Sequence, residues 1–499
     1  MNSQYIIGLD VGTSGCKAIL VNQNAKVIKS HVADYPLSIP RPGWSEQNPA
    51  DWWDRAKLCI REVIKGHNKT DIKAIGLSAQ MHGLVALDVH GEVIRPAILW
   101  NDQRTVKQCE EITEKAGGLE SLIGLVNNSM LPGYTGGKIL WIKENEPENY
   151  AKINMMLNPK DYIRYKLTGE YATEVSDASG TGLFNVKDRK WSDKLLSLLE
   201  VDRKKLPPVF ESTEQTGKVD RRVASDLGLD EIPVAGGGGD AVIQTTGMGI
   251  IKEGVTGTII GTAGIIAMGL SQYRVNPTGK VQLFCNNAPG LWHCMGVTLA
   301  AGGAYQWYKE IAGRDYYELE FLARKSKPGS GNLLFAPYLQ GERCPYPDPD
   351  ARGAFVGLNL THNKCDLVRA VMEGVTFSLR QVADLIASLD ENISTKEIIT
   401  SGGGADSELW RQIQADVFQV PVKTVVGGSE GAAFGAALTG GVACKIWNSL
   451  QDSVAQIATS SEMLPNKNNK AVYDDLYAVY KDIYPALREV NRKVSALKL

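Results

Sequence analysis

The feature that most constrains this chain is a pair of apolar runs joined by a turn of small residues near the N-terminus. Residues 5–20 read Tyr-Ile-Ile-Gly-Leu-Asp-Val-Gly-Thr-Ser-Gly-Cys-Lys-Ala-Ile-Leu, in which Asp10 precedes the turn of Gly12, Thr13 and Ser14. Two β-rich runs around such a turn predict a hairpin whose backbone N–H groups and hydroxyls can wrap an anion. Asp10 projects a carboxylate where a metal ion would bridge phosphates. The Walker lysine pattern is missing, so the turn is not a P-loop, and an ordinary hairpin is the alternative.

A second copy of the pattern lies far downstream. Residues 255–268 read Val-Thr-Gly-Thr-Ile-Ile-Gly-Thr-Ala-Gly-Ile-Ile-Ala-Met, with Gly261 and Thr262 in the turn between two apolar runs. This copy has no Asp at the place that matches Asp10. A repeat at this separation predicts two related domains that face each other across a nucleotide, each presenting one turn to its phosphates.

Composition limits the class of protein. The 499 residues are 43% hydrophobic and 22% charged, with a formal net charge of −2, as is typical of a globular chain with roughly two to four domains. This balance argues against nucleic acid or an anionic membrane as the main partner and favours a small molecule. Eight cysteines without a C-x-x-C pair, no signal pattern and no membrane-length apolar run predict a reduced, cytoplasmic protein.

The first half of the chain alternates strand-like and helix-like stretches, which predicts an α/β fold. Residues 232–242 then read Ile-Pro-Val-Ala-Gly-Gly-Gly-Gly-Asp-Ala-Val, an apolar strand that runs through four glycines into a helix beginning at Asp240. Such a stretch lets a ligand approach the backbone and can flex, so we place an active-site wall and the domain junction here. The predicted domains are residues 1–245 and 246–499. For Asp240 alone, the alternative is a plain helix N-cap.

A Gly-rich turn from strand to helix recurs near the C-terminus. Residues 398–413 read Ile-Ile-Thr-Ser-Gly-Gly-Gly-Ala-Asp-Ser-Glu-Leu-Trp-Arg-Gln-Ile. Gly403 and Gly404 would let the flat base of an adenosine lie against the backbone, and Ser407 would cap the helix or reach the nucleoside. Such turns also serve plain packing in α/β proteins. The small-residue helix at 430–438 is interpreted as close helix packing.

These pieces, in this order, resemble the FGGY carbohydrate kinase family of the actin-like ATPase superfamily, and most closely its xylulokinases. The resemblance covers nearly the whole chain. It is carried by Gly8-Leu-Asp-Val-Gly-Thr-Ser14, Trp44-Ser-Glu-Gln47 with Trp52-Trp53, Ala79-Gln-Met-His-Gly83, Ile98-Leu-Trp-Asn-Asp102, Lys160-Asp161, Gly238-Gly-Asp240, Tyr338-Leu-Gln-Gly-Glu-Arg343, Asp350-Ala-Arg-Gly353 and Gly402-Gly-Gly404.

The resemblance implies two actin-like, ribonuclease H-like domains of α/β type with a nucleotide and sugar cleft between them. The N-terminal domain would bind the sugar, the C-terminal domain the adenosine, and ATP with Mg²⁺ would convert D-xylulose to D-xylulose 5-phosphate. Whether the chain works alone or as a homodimer stays open. The implied site residues are Asp10 for Mg²⁺, usually through water, Gly12, Thr13 and Ser14 in the first phosphate loop, Gly261 and Thr262 in the second, Gly403, Gly404 and Ser407 at the adenosine, Asp240 as catalytic base, and Met81 with His82 at the ketose.

Physical chemistry adds expectations for the individual side chains. A helix start favours the ionised form of Asp240 that a base needs. His82 is expected to be a neutral hydrogen-bonding partner of sugar hydroxyls, the alternative being a turn histidine paired to the backbone. Glu342 and Arg343 are expected to form an ion pair that braces an interdomain loop.

The sequence departs from the common xylulokinase pattern at two positions. Ala241 stands where an amide side chain often follows the catalytic Asp, and Ala263 replaces a frequent Ser of the second phosphate loop. A site without a hydrogen-bond donor cannot use that donor to discriminate between sugars, so these departures concern the choice of sugar more than the reaction. The alternatives are a kinase of ribulose, gluconate or another polyol or sugar acid, and a non-catalytic actin-like ATPase or sugar sensor. Glycerol kinases carry an Arg-Glu pair in place of Met81 and His82, which argues against glycerol.

Overall fold

Two large β-sheets organise residues 4–497, the part of the chain that the computed structural model describes. The strands are β1 (Tyr5–Val11), β2 (Gly15–Asn22), β3 (Val27–Asp34), β4 (Glu46–Gln47), β5 (Ile72–Ala79), β6 (Val85–Leu87), β7 (Ala97–Ile98), β8 (Met155–Leu157), β9 (Thr173–Glu174), β10 (Phe184–Asn185), β11 (Lys190–Trp191), β12 (Val209–Phe210), β13 (Gln215–Lys218), β14 (Pro233–Ala235), β15 (Gly238–Gly239), β16 (Val255–Ile260), β17 (Gly264–Leu270), β18 (Gln282–Cys285), β19 (Trp292–Thr298), β20 (Leu334–Ala336), β21 (Ala354–Val356), β22 (Glu397–Ser401), β23 (Val422–Val425) and β24 (Thr459–Met463).

Helices cover and connect the sheets. They are α1 (Pro49–Ile64), α2 (Val106–Lys115), α3 (Leu119–Val126), α4 (Thr135–Asn145), α5 (Pro147–Lys152), α6 (Pro159–Thr168), α7 (Val175–Ser179), α8 (Asp193–Leu198), α9 (Arg221–Leu227), α10 (Asp240–Gly247), α11 (Gly302–Ala312), α12 (Tyr316–Ala323), α13 (Lys364–Ala387), α14 (Glu408–Phe418), α15 (Ala432–Ala443), α16 (Leu450–Val454) and α17 (Lys470–Ser495). Among the residues that the structure describes, no helix is both long and apolar enough to cross a bilayer.

The predicted repeat of two hairpins is confirmed. In the first sheet, β1 pairs antiparallel with β2 and parallel with β5, within the order β13-β14-β5-β1-β2-β3. In the second, β16 pairs antiparallel with β17 and parallel with β22, within the order β18-β19-β17-β16-β22-β23-β24. The two turns therefore occupy matching places in two sheets of the same local topology, and the expected two-domain α/β architecture is confirmed.

Strand β1 is buried on both faces, which explains its nearly continuous apolar sequence. Ile7, Leu9 and Val11 belong to the same buried cluster as α1, whereas Ile6 belongs to the cluster around α15. A Cβ on Gly8 would lie 2.0 Å from the carbonyl oxygen of Ala433. The absence of a Cβ at this position is therefore what allows α15, far along the chain, to lie directly on the first sheet.

Helices α10 and α15 form the seam between the halves of the chain. A Cβ on Gly435 of α15 would come within 1.9 Å of the carbonyl oxygen of Ile243 on α10. The close packing expected of the 430–438 segment is present, although its partners include strands as well as a helix. The division between residues 245 and 246 stays a prediction, and it falls inside α10.

Candidate functional site

The first predicted phosphate turn is held in shape both from within the hairpin and from outside it. The Gly12 N–H donates to the Gly15 carbonyl at 3.0 Å. The Thr13 hydroxyl accepts from Trp100 Nε1 at 2.8 Å and lies 3.3 Å from Gln80 Oε1, to which it donates. Because Gln80 directly precedes Met81, this hydroxyl connects the first turn to the predicted sugar turn.

Asp10 is the penultimate residue of β1, just before this turn. Its Oδ1 accepts the hydroxyl of Ser78 on β5 at 2.8 Å, as expected for residues that are partners in the β1–β5 ladder. Burial raises the pKa of the Asp10 carboxyl, while the Ser78 hydrogen bond and the positive charge of Lys17 act against this rise. Lys17 in turn bonds Glu430 from the far half of the chain, Nζ to Oε2, at 2.6 Å.

Asp240 is the first residue of α10, and its carboxylate Oδ1 accepts from the Ala241 N–H at 2.7 Å. The N-cap position belongs to Gly239, so the plain N-cap alternative for Asp240 is wrong. Burial, and then the charge of Asp10, raise the Asp240 pKa to about 7, whereas the backbone N–H groups of Ala241 and Met81 lower it. The expected bias of the helix start toward the ionised form is therefore outweighed.

His82 sits in a left-handed backbone conformation with φ of 67°. Its Nδ1 lies 2.6 Å from the carbonyl oxygen of Gly180, and because a carbonyl only accepts, Nδ1 carries the proton and Nε2 is an acceptor. Burial, followed by the charge of Lys138, lowers the His82 pKa to about 3. The imidazole is thus neutral, as expected, and one of its two nitrogens is also paired to the backbone.

Met81 connects the sugar turn to the start of α10. A Cβ on Gly239 would lie 2.5 Å from Met81 Cγ, and a Cβ on Gly180 would lie 2.7 Å from Met81 Cε. The side chain therefore fills the space between two glycines, and it is buried. The Met81-His82 turn and the Asp240 segment, separated by more than half of the first domain in sequence, are in direct contact.

The second predicted phosphate turn is tied to the start of α11. The carbonyl of Gly261 accepts from Gly302 at 2.7 Å, and that of Thr262 accepts from Ala301 at 2.9 Å. Beside it lies a cavity of about 540 Å³. The cavity is lined by Ile260, Gly261, Thr262, Gly302, Tyr305, Gln306, Tyr316, Tyr317, Glu320, Gly403, Gly404, Asp406, Ser407 and Trp410.

All five residues assigned to the second loop and the adenosine turn line this one cavity. Ser407 is also the N-cap of α14, because its Oγ accepts from the Trp410 N–H at 3.1 Å. A volume of this size suits a small organic ligand, and the glycines leave one wall flat.

Sequence reasoning missed the aromatic side of the cavity. Tyr305 of α11 stacks on Tyr316 of α12 with ring centroids 5.6 Å apart, and Tyr317 is 83% exposed. The sequence signal that could have revealed this aromatic lining is the pair Tyr316-Tyr317. It directly follows Asp315, which forms a capping box with Glu318 and so marks a helix start. Exposed aromatic residues at a helix start are suited to contacting a flat ligand.

The expected ion pair between Glu342 and Arg343 is wrong. Glu342 Oε1 accepts instead from the backbone N–H groups of Leu299, at 2.9 Å, and of Arg343, at 2.7 Å, and burial raises its pKa to about 7. The Arg343 guanidinium lies near His82 and Tyr134, where its charge helps to lower the His82 pKa. Arg343 thus belongs to the surroundings of the sugar turn.

The donor set for a metal ion is small. Among residues 4–497, no group of three or more His, Cys, Asp or Glu side chains is arranged to hold one. Asp10, with one oxygen engaged by Ser78 and with Asp240 nearby, fits a Mg²⁺ ion held by one or two carboxylates and otherwise by water and phosphate oxygens.

Comparison with known proteins agrees with this geometry. Residues 5–247 match the FGGY family of carbohydrate kinases, N-terminal domain, and residues 258–444 match its C-terminal domain. The chain is 37% identical over 484 residues to a xylulose kinase of Staphylococcus xylosus, covering 96% of this chain and 99% of that one. A xylulose kinase of Bacillus subtilis is 37% identical over 501 residues, covering 99% of each. A gluconokinase of Bacillus subtilis is 31% identical over 452 residues, covering 88% of this chain and 87% of that one.

Solved structures give the same result. A xylulose kinase from Brucella ovis superposes with a TM-score of 0.91 at 34% identity, covering 98% of this chain and 100% of that chain. A gluconate kinase from Lactobacillus acidophilus superposes with a TM-score of 0.90 at 28% identity, covering 99% and 100%. Two family domains in order, relatives at this identity over nearly the full length and a shared fold lead to one conclusion: the chain belongs to the FGGY family of carbohydrate kinases.

Proposed function

We propose that the chain transfers the γ-phosphate of ATP to the terminal hydroxyl of D-xylulose and releases D-xylulose 5-phosphate. The observation that carries this proposal is the contact between a neutral, acceptor-bearing His82 turn and the Asp240 carboxylate, beside Asp10. Xylulose kinase relatives that align over nearly the whole chain support the choice of sugar.

Asp240 would accept the proton of the attacking hydroxyl. A base works best when its pKa lies near the working pH, and burial together with Asp10 raises the Asp240 pKa to about 7. The backbone N–H groups of Ala241 and Met81 fix the carboxylate, so that it can aim the hydroxyl in line with the γ-phosphorus.

His82 and its neighbours would orient the sugar. With Nδ1 committed to Gly180, Nε2 can only accept, so it would bind a sugar hydroxyl as hydrogen donor. The buried Met81 sets the position of this turn against Gly239. Arg343, which faces the same region, would donate to a sugar oxygen.

The two Gly-Thr turns would hold the triphosphate. The backbone amides and hydroxyls of Gly12, Thr13 and Ser14 would face it from one lobe, and those of Gly261 and Thr262 from the other. Bound at Asp10, Mg²⁺ would neutralise charge on the phosphate oxygens. The cavity beside Gly403, Gly404 and Ser407 would take the adenosine, with the tyrosines of α11 and α12 along its open side.

A coupled ADP-release assay with ATP and Mg²⁺ tests the proposal. We expect D-xylulose to give the highest kcat/KM in a panel that also contains ribulose, ribitol, gluconate and glycerol. Gluconate is the second candidate, because a gluconokinase aligns with most of this chain at 31% identity. A higher kcat/KM for gluconate would reject the sugar but keep the kinase reaction. We also propose that the reaction takes place in the cytoplasm, where ATP is available.

A further inference from the structure

Asn287 is a fully buried residue that reaches from the second half of the chain to the segment before Asp240. It follows β18 and lies outside every motif singled out in the sequence. Its Nδ2 donates to the hydroxyl oxygens of Ser176, at 3.1 Å, and Ser212, at 2.9 Å. Its Oδ1 accepts from the hydroxyl of Thr246 at 2.9 Å.

The hydrogen positions in this network follow from Glu174. The Glu174 carboxylate accepts from the hydroxyls of Ser176, at 2.8 Å, and Ser212, at 2.6 Å, and from the backbone N–H groups of Ser176 and Asp177. A hydroxyl has one hydrogen, so each serine that donates to Glu174 presents only lone pairs to Asn287. Two serine acceptors require a group with two N–H hydrogens, and the amide of Asn287 supplies both.

The same network touches both sides of Asp240. On the N-terminal side, the Gly239 N–H donates to Ser176 Oγ at 3.2 Å, and a Cβ on Gly238 would lie 2.3 Å from Asn287 Nδ2. On the C-terminal side, Thr246 belongs to α10, the helix that Asp240 begins. The side-chain amide of Asn287 is therefore connected both to β15, which directly precedes Asp240, and to α10, which Asp240 begins.

We propose that Asn287 is a positioning residue for Asp240, holding the Gly238-Gly239 backbone and α10 in the register that aims the carboxylate. This inference rests on the proposed function of Asp240 as the base. It also makes the base depend on the second half of the chain, because Asn287 lies between two strands of the second sheet, β18 and β19. A displacement of about 1 Å at such a group can cost on the order of 10²-fold in rate.

A buried asparagine with a purely structural role serves as a control for Asn287. Asn276 is a matched control, because it is also fully buried, and its Nδ2 donates to the Val281 carbonyl at 2.7 Å while its N–H donates to Asn127 Oδ1 at 2.9 Å. Asn276 makes no hydrogen bond to Ser176, Ser212 or Thr246. Loss of either asparagine side chain removes buried hydrogen bonds, and only loss of Asn287 should disturb Asp240.

The experiment compares Asn287→Ala, Thr246→Val and Asn276→Ala with the unmodified protein. Sugar-dependent kcat and both KM values are measured together with hydrogen exchange of the backbone amides in residues 233–247. We expect Asn287→Ala to lower kcat about 10-fold or more, to leave both KM values within about 3-fold and to speed exchange at Gly239 and Asp240. Asn276→Ala should leave kcat and this exchange unchanged even where it lowers the melting temperature.

Thr246→Val keeps the side-chain shape while removing the donor to Asn287, so it serves if Asn287→Ala does not fold. We expect it to lower kcat about 3-fold and to speed exchange at the start of α10. Unchanged kcat and exchange in the variant that folds would overturn the proposal, as would losses equal to those of Asn276→Ala. If no sugar is phosphorylated by the unmodified protein, the proposed function fails, and the exchange measurement alone still decides the positioning role.

Discussion

Met81 lies directly against Gly239, where a Cβ atom would come within 2.5 Å of Met81 Cγ. Gly239 has an ordinary extended backbone, with φ of −61° and ψ of 139°. Alanine is therefore compatible with the backbone there, and any effect of adding a methyl group comes from the displacement of Met81.

This contact predicts that Gly239→Ala impairs catalysis while the protein still folds. The added methyl group would push Met81 and the adjoining His82 turn away from Asp240, so we expect kcat/KM for the sugar to fall about 10-fold or more. Steady-state kinetics check this. Combining Gly239→Ala with Met81→Ala should recover part of the lost kcat/KM. If the two losses in kcat/KM instead added as independent free-energy changes in the double variant, the explanation would be contradicted.

Asp240→Asn separates a base from a structural group. Asparagine keeps the size and the acceptor oxygen facing Ala241 N–H, so the variant should fold and bind ATP and xylulose. Its kcat should fall on the order of 10²-fold or more, because the hydroxyl loses its proton acceptor. Turnover near that of the unmodified protein, at an unchanged melting temperature, would assign the base to another residue.

The pKa of Asp240 makes a separate prediction about stability. It is raised to about 7 in the folded state, against about 3.9 for an unperturbed Asp. Between these values the folded protein holds a proton that the unfolded chain has lost, so Asp240 favours folding less as pH rises. The melting temperature of Asp240→Asn minus that of the unmodified protein should increase from pH 5 to pH 8. A difference that stays constant across this range would show that burial does not perturb Asp240.

Asp10→Ala and His82→Ala should fail in different ways. Asp10 faces the proposed metal and phosphate region, so its loss should lower turnover with every sugar and raise the Mg²⁺ concentration needed for half-maximal rate. His82 carries the proposed sugar acceptor, so its loss should raise the sugar KM and narrow the difference between xylulose and ribulose. Kinetics at varied Mg²⁺ and sugar check both. Equal loss of nucleotide affinity in the two variants would count against this division.

Gly403 offers a test of the proposed adenosine cavity. A Cβ on Gly403 would meet nothing within 4 Å, although the residue lines the cavity. Gly403→Leu should therefore fold normally, fill part of the cavity and raise the KM for ATP about 10-fold while the sugar KM stays unchanged. Gly124→Leu is a matched control, because a Cβ on Gly124 of α3 also meets nothing within 4 Å. An unchanged KM for ATP in Gly403→Leu would place the nucleotide elsewhere.

Much of the fold could be predicted from the sequence, because its signals are local. A hairpin with a small-residue turn is determined by neighbouring residues, so the two hairpin turns proposed to bind phosphate, at Gly12 and at Gly261, could be located directly. Four glycines before Asp240 and three before Ala405 likewise mark strand-to-helix turns. The order of these motifs along the chain then indicated the family, and the resemblance to the family indicated which side chains would lie in one site.

The tertiary structure alone decided how those side chains behave. The raised pKa of Asp240 depends on burial and on the charge of Asp10, which is distant in sequence. A local sequence pattern does not reveal how close Asp10 and Asp240 lie in the folded protein. The backbone partners of Glu342, the tyrosine side of the proposed adenosine cavity and the hydrogen bonds of Asn287 across the seam likewise arise from packing between distant segments. Sequence by itself determined the turns and the residue types in them. Charge state, side-chain orientation and hydrogen-bond direction required the folded chain, because each depends on neighbours that only folding brings together.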